Sequence, residues 1–319
     1  MLFDLLWAAA GLGLLVVAGD ALVRGAVNLA LRLGIPALIV GLTVVAFGTS
    51  APELLVSIQA ALADQDGIAL GNVVGSNIAN ILLVLGLPAL IGTIHSSYLE
   101  LRRDYLTMIG ATLLFLAVAW DGVLSRIDAL VLLAGLALML GDNIRSARRH
   151  RAEAAAANGA GEDELEGADA GMPGWKIAAF LVAGLIGLPI GADLLVDASV
   201  NIARAFGVSE TVIGLTLVAV GTSLPELATS IAAAVRGKAD VALGNVIGSN
   251  VFNLLAILGI ASLVDTLAVP AEILSYDAWV MLGVSLLLVP FVFLRQDITR
   301  IVGVGLTAAY AAYAASLVM

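Results

Sequence analysis

The chain has 319 residues, of which 61% are hydrophobic and only 13% charged, with a mean hydropathy of +1.06 and a formal net charge of −10. A water-soluble domain of this size cannot bury so much apolar surface, so lipid must be the solvent for most of the chain. There are no cysteines, and the two histidines, His95 and His150, lie in polar stretches. This excludes disulfides and thiolate sites and argues against a histidine-based zinc or catalytic centre.

The apolar runs are unbroken rather than alternating, which favours membrane helices over a β-barrel. A spanning helix needs roughly 20 apolar residues, and the sequence supports ten. The first run has no basic segment or cleavage site before or after it, so we expect a helix rather than a removed signal. The predicted helices are 4–23, 36–63, 69–92, 105–120 and 127–143, then 174–196, 209–235, 241–265, 277–294 and 301–318.

Residues 144–172 separate the two sets of helices. This segment is rich in Arg, Ala, Gly and Glu and has no apolar period, which predicts a mobile linker. The proposed division is therefore a first five-helix repeat at 1–143, the linker at 144–172, and a second repeat at 173–319. The acids of the linker are interpreted as a solvated loop rather than a binding surface.

The distribution of Lys and Arg predicts the orientation. With the N-terminus outside, 13 of the 15 basic residues fall in inside loops, and only Arg126 and Arg204 fall outside. We therefore expect both termini outside and the 144–172 loop in the cytoplasm, in a multi-pass protein of the plasma (inner) membrane.

An internal repeat is the most informative feature of the sequence. Residues 41–86 and 214–259 align without a gap at an offset of 173, and 27 of the 46 positions are identical. Each copy belongs to a set of five predicted helices, an odd number, so the second copy must cross the membrane in the opposite sense. Inverted repeats of this kind place their binding site near the midplane between the repeats. The predicted fold is all-α and polytopic, with ten transmembrane helices in two inverted five-helix repeats.

Two glutamates lie deep in apolar segments of the repeats. Glu53 is the only ionisable residue between Arg32 and Asp64, and Glu226 matches it at the repeat offset. An intramembrane carboxylate is costly and indicates a functional site. The alternative is a protonated glutamate that bonds between helices, but two symmetry-related copies make this less favoured.

Proline precedes each glutamate. Pro52 and Pro225 lack an N–H, so we expect a bent helix with main-chain carbonyls that need a partner, for which a metal ion is suitable. The alternative is a simple packing kink.

Polar oxygens accompany each glutamate at matching positions. They suit hard cations such as Ca²⁺, which takes about 6–8 oxygen ligands, and the absence of sulfur and imidazole argues against Zn²⁺ and Cu⁺. Interhelical hydrogen bonding is the alternative role for the amides. The candidate side chains are Thr49, Ser50, Ser76 and Asn80 in the first repeat and Thr222, Ser223, Ser249 and Asn253 in the second.

Three other polar residues receive simpler interpretations. Asp20 and Asp193 also match at the repeat offset, and capping or snorkelling near helix ends explains them adequately. His95 has no visible acid–base partner and is interpreted as a solvated loop residue.

The motif pairs GTSAPE (48–53) with GNVVGSNIAN (71–80), and GTSLPE (221–226) with GNVIGSNVFN (244–253), closely resemble the two α-repeats of the sodium/calcium exchanger family, within the cation/Ca²⁺ antiporter superfamily. The resemblance implies a transporter, not an enzyme, that exchanges Ca²⁺ against several Na⁺ by alternating access without a cofactor. It also implies that helices 1 and 6 slide across the rest.

The resemblance assigns roles to single residues. Glu53 and Glu226 would be the central ligands of Ca²⁺ and would also hold Na⁺, with Thr49 and Thr222 as further metal ligands. The other implied oxygens are the hydroxyls of Ser50, Ser76, Ser223 and Ser249, the main-chain carbonyls of Ala46 and Ala219, and the central amides of Asn80 and Asn253.

One position departs from part of the family. Archaeal and K⁺-dependent members carry aspartate where this chain has Asn253, so we expect K⁺-independent transport. The proton-coupled branch of the superfamily differs in the first motif, which favours Na⁺ over H⁺ as the counter-ion. The linker is too short for the large regulatory loop of animal exchangers.

Three alternatives stay open at this point. They are a Ca²⁺/H⁺ antiporter of the same superfamily, an intramembrane hydrolase with Ser50 or Ser223 as nucleophile, and a cation channel. The hydrolase lacks a histidine or lysine base and would need a duplicated half-site. The expected partners are small cations and the lipid bilayer, with no nucleic acid and no protein partner.

Overall fold

A computed structural model describes residues 2–35, 37–94, 101–156, 171–206 and 219–317, so His95 and the segment 157–170 lie outside the described residues. In the first half of the chain the α-helices are Leu2–Leu33, Ala37–Val40, Ala46–Thr49, Ala51–Leu62, Asp66–Ala79, Gly86–Ile91, Leu101–Val118 and Arg126–Ala156. In the second half they are Gly174–Ala205, Ala219–Gly221, Leu224–Val235, Ala239–Phe252, Leu258–Val264, Ala278–Leu286, Val289–Phe293 and Arg300–Ser316.

Short π-helical turns interrupt several of these helices, at Gly41–Val45, Asn80–Val84, Asn253–Ile257 and Ile273–Asp277. The turns that begin at Asn80 and Asn253 occupy matching positions of the two repeats. A π-turn inside an α-helix often marks a functional site, because it shifts the side chains that follow it. These turns were not predicted from the sequence.

Six helices of the described residues are long and apolar enough to cross a membrane, or seven if the bent pair Gly41–Thr49 and Ala51–Leu62 counts as one span. The helix Leu101–Val118 is close to this length but carries Arg102, Arg103 and Asp104 in its first turn. The predicted helix 209–235 is described only from Ala219 onwards. The helical fold of the predicted class is thus present, and the count of ten stays a prediction.

The helices at the start of each half are longer than predicted. They run over Leu2–Leu33 and Gly174–Ala205, where the sequence predicted ends at 23 and 196. Asp20 is therefore not a residue near a helix end: it lies inside its helix and pairs with Arg24 one turn on, at 3.0 Å, and with Arg236 of the other half. Because an i,i+4 ion pair stabilises a helix, these charges do not end it. Asp193 likewise lies inside its helix and is exposed.

The helix Arg126–Ala156 also passes its predicted end at 143 and continues into the predicted linker. The added residues are mostly Arg, Ala and Glu, which are strong helix formers without needing an apolar stripe. Low apolar content therefore did not indicate the end of the helix.

The helices Leu2–Leu33 and Gly174–Ala205 pack against each other along their lengths, and we call them the crossing pair. Glycines allow this close approach. A Cβ added at Gly11 would stand 2.7 Å from the main-chain nitrogen of Leu195, and one added at Gly184 would stand 2.8 Å from Cα of Leu22. Gly11 and Gly184 are related by the repeat offset, so the repeat extends into the crossing pair.

The contacts between loops show which helix ends share a side of the molecule. At one end, the strand Val123–Leu124 pairs antiparallel with Leu267–Ala268, and Asp66 accepts a hydrogen bond from the Ala268 N–H at 2.8 Å. At the other end, Ile94 bridges to Ile298. The short strands were not predicted, because two-residue strands leave no period in the sequence.

Candidate functional site

Both glutamates lie in the first turn of a helix that starts in the middle of the bundle. The helices Gly41–Thr49 and Ala51–Leu62 meet at 49° around Ser50, and Pro52 occupies the first turn of the second helix. In that position proline costs no hydrogen bond, because the first N–H groups of a helix have no internal partner. The chain thus breaks rather than bends before Glu53, whose carboxylate lies at the N-terminal end of a helix, where the helix dipole favours negative charge.

The second repeat has the same construction. Ser223 precedes the helix Leu224–Val235, with Pro225 and then Glu226 in its first turn. Glu53 and Glu226 are each only 1% exposed, and Ser50, three residues before Glu53, donates a hydrogen bond to Glu226. The structure therefore brings the two predicted carboxylates together from the two repeats.

Hydroxyl groups from both repeats meet at Glu226. Oγ of Ser50 donates to Oε1 of Glu226 at 3.1 Å, and Oγ of Ser249 approaches the same oxygen at 3.5 Å. Thr49 is buried and its hydroxyl lies 3.2 Å from Oδ1 of Asn245 and 3.3 Å from the Ala46 carbonyl. Residues of the first repeat thus complete the surroundings of the second repeat's glutamate.

The Ala46 carbonyl is occupied in this conformation, because it also accepts the Ser50 N–H at 3.0 Å. At the matching position of the second repeat, the Ser223 N–H donates to Val220 instead, at 3.1 Å. Ala219 begins the short helix Ala219–Gly221. The two expected carbonyl ligands are therefore not equivalent in this structure.

A first pair of asparagines ties each glutamate-bearing helix to the next helix. Nδ2 of Asn72 donates to the Glu53 carbonyl at 3.1 Å and to Oγ of Ser57 at 2.9 Å. Nδ2 of Asn245 makes the matching contacts to the Glu226 carbonyl and to Ser230, both at 3.4 Å. Asn72 and Asn245 were not among the predicted site residues, although their repetition at the offset of 173 was a usable signal.

A second group of four buried asparagines lies between the repeats, each 1% exposed. Nδ2 of Asn80 donates to Oδ1 of Asn250 at 3.0 Å, and Nδ2 of Asn253 donates to Oδ1 of Asn77 at 3.0 Å. Asn80 and Asn253 were predicted, whereas Asn77 and Asn250 were missed. We call Asn77, Asn80, Asn250 and Asn253 the asparagine tetrad.

Several oxygens at this centre find no hydrogen-bond partner among the described residues. Buried polar groups without partners are uncommon in native proteins and need an explanation, such as an ion or water. The oxygens are Oε2 of Glu53, Oε2 of Glu226, Oδ1 of Asn80, Oδ1 of Asn253 and Oγ of Ser223. All five belong to residues that the sequence predicted to face a cation.

A cavity of about 350 Å³ opens beside two of the predicted ligand residues. Ser76 and Thr222 line it, and so do Asp277 and Tyr313, whose hydroxyl donates to Asp277 at 2.9 Å. Thr222 is partly exposed in the structure, whereas the matching Thr49 is only 1% exposed. The surroundings of the two threonines therefore differ, although their sequence motifs match.

The candidate ligand atoms of the site are all oxygens. Within the ranges that the structure describes, there is no cluster of three or more His, Cys, Asp or Glu side chains that could hold a metal ion. A cation at the centre would meet two carboxylates together with hydroxyl and amide oxygens. Such a set suits hard cations and not the softer transition metals.

Comparison with known proteins agrees with this description. The family model for sodium/calcium exchanger proteins matches residues 3–141 and 176–319. The inner membrane protein YrbG of Escherichia coli (strain K12) is 40% identical over 314 residues, which cover 96% of this chain and 94% of the relative. The sodium/calcium exchanger MaX1 of Methanosarcina acetivorans is 36% identical over 337 residues, covering 95% of each chain.

A solved structure is similar over its whole length. The sodium–calcium exchanger NCX_Mj, soaked with 2.5 mM Na⁺ and 0.1 mM Ca²⁺, superposes with a TM-score of 0.82 at 35% identity, covering 100% of both chains. The fold and the site thus define a membrane ion antiporter, a transporter and not an enzyme. The chain belongs to the sodium/calcium exchanger family, which confirms the resemblance of its two motif pairs.

Proposed function

We propose that this protein exchanges Ca²⁺ against Na⁺ across the membrane by alternating access, at a site centred on Glu53 and Glu226. The observation that carries the proposal is the convergence of unpartnered oxygens from both repeats, including Oε2 of each glutamate. Leaving such groups buried and dry costs about 1–3 kcal/mol each. A cation that several of these oxygens bind together removes that cost.

The charges favour one divalent or two monovalent ions. Two ionised glutamates carry a charge of −2, which one Ca²⁺ or two Na⁺ would neutralise. The hydroxyls of Ser50, Ser76, Ser223 and Ser249, with those of Thr49 and Thr222, offer neutral oxygens for flanking Na⁺ ions. Mutually exclusive occupancy of one site by the two ions is the condition for exchange rather than free conduction.

We also propose that transport is independent of K⁺ and driven by Na⁺ rather than H⁺. Asn253 places a neutral amide where K⁺-dependent relatives have a carboxylate, so the centre has two acids and not three. The names of the relative MaX1 and of the similar structure NCX_Mj point to Na⁺ as the counter-ion.

Alternating access requires one part of the protein to move against another. The crossing pair is the natural candidate, because its two helices pack mainly on each other through glycine contacts. The cavity at Ser76 and Thr222 supports a conformation that is open on the side of Asp277. By the basic-residue count this is the outside, with both termini outside and the 144–172 loop in the cytoplasm of the inner membrane.

A liposome assay tests the proposal. Vesicles loaded with Na⁺ and diluted into Na⁺-free buffer should accumulate labelled Ca²⁺, equally with and without K⁺. Glu53→Gln and Glu226→Gln should abolish uptake, because each removes one of the two buried charges. Glu272→Gln changes an exposed acid that is not one of the predicted site residues, and it serves as the matched control. Uptake driven by a pH gradient and not by Na⁺ would place the protein in the proton-coupled branch, and an absolute K⁺ requirement would contradict K⁺ independence.

A further inference from the structure

The asparagine tetrad contains two amides that the expected ion ligands do not include, and their bonding is reciprocal. Nδ2 of Asn77 donates to the main-chain carbonyl of Asn250 at 3.3 Å, and Nδ2 of Asn250 donates to the carbonyl of Asn77 at 3.2 Å. Each Nδ2 also lies against a methionine sulfur, Asn77 at 3.6 Å from Met281 and Asn250 at 3.7 Å from Met108. Asn77 and Asn250 are thus joined by two reciprocal hydrogen bonds between the repeats.

These contacts fix which way each amide faces. Carbonyl oxygens and thioether sulfurs only accept hydrogen bonds, so Asn77 and Asn250 must turn their NH₂ groups toward them. Their Oδ1 atoms consequently point the other way, each to an amide of the opposite repeat. The Oδ1 atoms of Asn77 and Asn250 can only accept hydrogen bonds. Asn80 must therefore turn its NH₂ group to Oδ1 of Asn250, and Asn253 must turn its NH₂ group to Oδ1 of Asn77.

One consequence concerns the expected ligands. The NH₂ groups of Asn80 and Asn253 already donate hydrogen bonds to the opposite repeat, so only the Oδ1 atom of each amide is available to another ligand. Both Oδ1 atoms are buried without a partner among the described residues. A flipped amide would turn its NH₂, with partial positive charge, to the same place. The orientation therefore decides whether the amide attracts or repels a cation.

We propose that Asn77 and Asn250 are positioning residues for cation binding, each acting through the amide of the opposite repeat. Asn250 holds Asn80, and Asn77 holds Asn253, with the carbonyl oxygen directed to the ion. The inference rests on the proposed function, since it requires a cation at the centre. It adds a link between the repeats, because each half orients a ligand of the other half.

Equilibrium Ca²⁺ binding to the purified protein tests this through double-mutant cycles. Asn250→Leu removes the acceptor for Asn80 at similar volume, and we expect binding about tenfold weaker, the order of effect of losing one buried hydrogen bond between neutral amides. In an Asn80→Ala background, Asn250→Leu should weaken Ca²⁺ binding by less than about twofold, because the amide that Asn250 orients is absent. In an Asn253→Ala background it should keep its full effect.

Asn77→Leu provides the crossed control. Its effect should vanish in the Asn253→Ala background and persist in the Asn80→Ala background, and thermal unfolding of every variant in detergent reports on folding separately. If either leucine variant weakens Ca²⁺ binding equally in both alanine backgrounds, the residue has a general packing role and the inference is overturned. Wild-type protein that binds no Ca²⁺ would overturn the proposed function and this inference with it, whereas wild-type binding without the crossed pattern would overturn this inference alone.

Discussion

At the scale of residues, the site depends on groups that are satisfied only in part. Glu226 accepts hydrogen bonds at Oε1 from Ser50 of the first repeat and Ser249 of the second, while its Oε2 has no partner in the described part of the chain. Full satisfaction by the protein would leave no reason for a cation to bind. Complete lack of partners would cost too much stability when the ion leaves. The intermediate arrangement suits a site that must bind and release.

Matching residues of the two repeats differ in their hydrogen-bond partners and in their exposure. Ser50 donates to a glutamate, whereas Oγ of Ser223 is buried without a partner in the residues that the structure describes. Thr49 is buried and bonded, whereas Thr222 faces the cavity. The two sequence repeats have the same motifs but differ in conformation, as we expect of a transporter whose site is open to one side.

Glu53 and Glu226 could be predicted from the sequence because they combine two independent signals. An acid in an apolar segment is costly, and repetition at a fixed offset is improbable by chance. Asn77 and Asn250 repeat equally well but are neutral, and unlike Asn80 and Asn253 they do not lie four residues after Ser76 and Ser249 on the same helix face. Their role depends on which amide atom faces which neighbour, and spacing along one helix does not contain that information.

At the scale of elements, the breaks at Ser50 and Ser223 follow from the Ser-x-Pro-Glu order, which places proline where a helix starts. The π-turns at Asn80 and Asn253 could not be predicted in this way. The helix continues on both sides of each turn, and no Pro or Gly marks the extra residue. Helix ends in polar segments were also missed, because helical propensity and the membrane boundary are separate properties.

The crossing pair permits a test with a matched control in one helix. Gly11→Ala would place a Cβ 2.7 Å from the Leu195 nitrogen and 2.8 Å from the Gly191 carbonyl oxygen, both main-chain atoms that cannot turn aside. We expect a loss of about 1–3 kcal/mol, seen as a lower midpoint of thermal unfolding in detergent. Gly13→Ala has nothing within 4 Å and should leave the midpoint unchanged or raise it. Equal effects of the two substitutions would show that close packing of the pair does not matter.

At the scale of the whole molecule, contacts between loops divide the helix ends into two groups. Val123, Ala268 and Asp66 meet at one end, and Ile94 and Ile298 meet at the other. The basic-residue count assigns the second group to the cytoplasm. Contacts within the protein cannot make that assignment, because the fold is the same whichever way it is inserted.

The absence of cysteine makes the orientation simple to test. Single substitutions Ala152→Cys and Thr266→Cys place an exposed thiol on each of the two sides. A membrane-impermeant maleimide should label Thr266→Cys in intact spheroplasts and Ala152→Cys only after lysis. The opposite labelling would invert the proposed topology, and the unlabelled wild type is the background control.

The central claim is that one buried site, built on Glu53 and Glu226, binds Ca²⁺ and Na⁺ in competition. Equilibrium binding of labelled Ca²⁺ to the purified protein, titrated with Na⁺, tests it most directly. We predict one Ca²⁺ per chain, displaced by Na⁺ with a Hill coefficient above one, because two charges must be replaced. Binding should be lost in Glu53→Gln and in Glu226→Gln and kept in Glu272→Gln. Ca²⁺ binding that survives both site substitutions, or that Na⁺ does not displace, would contradict the claim.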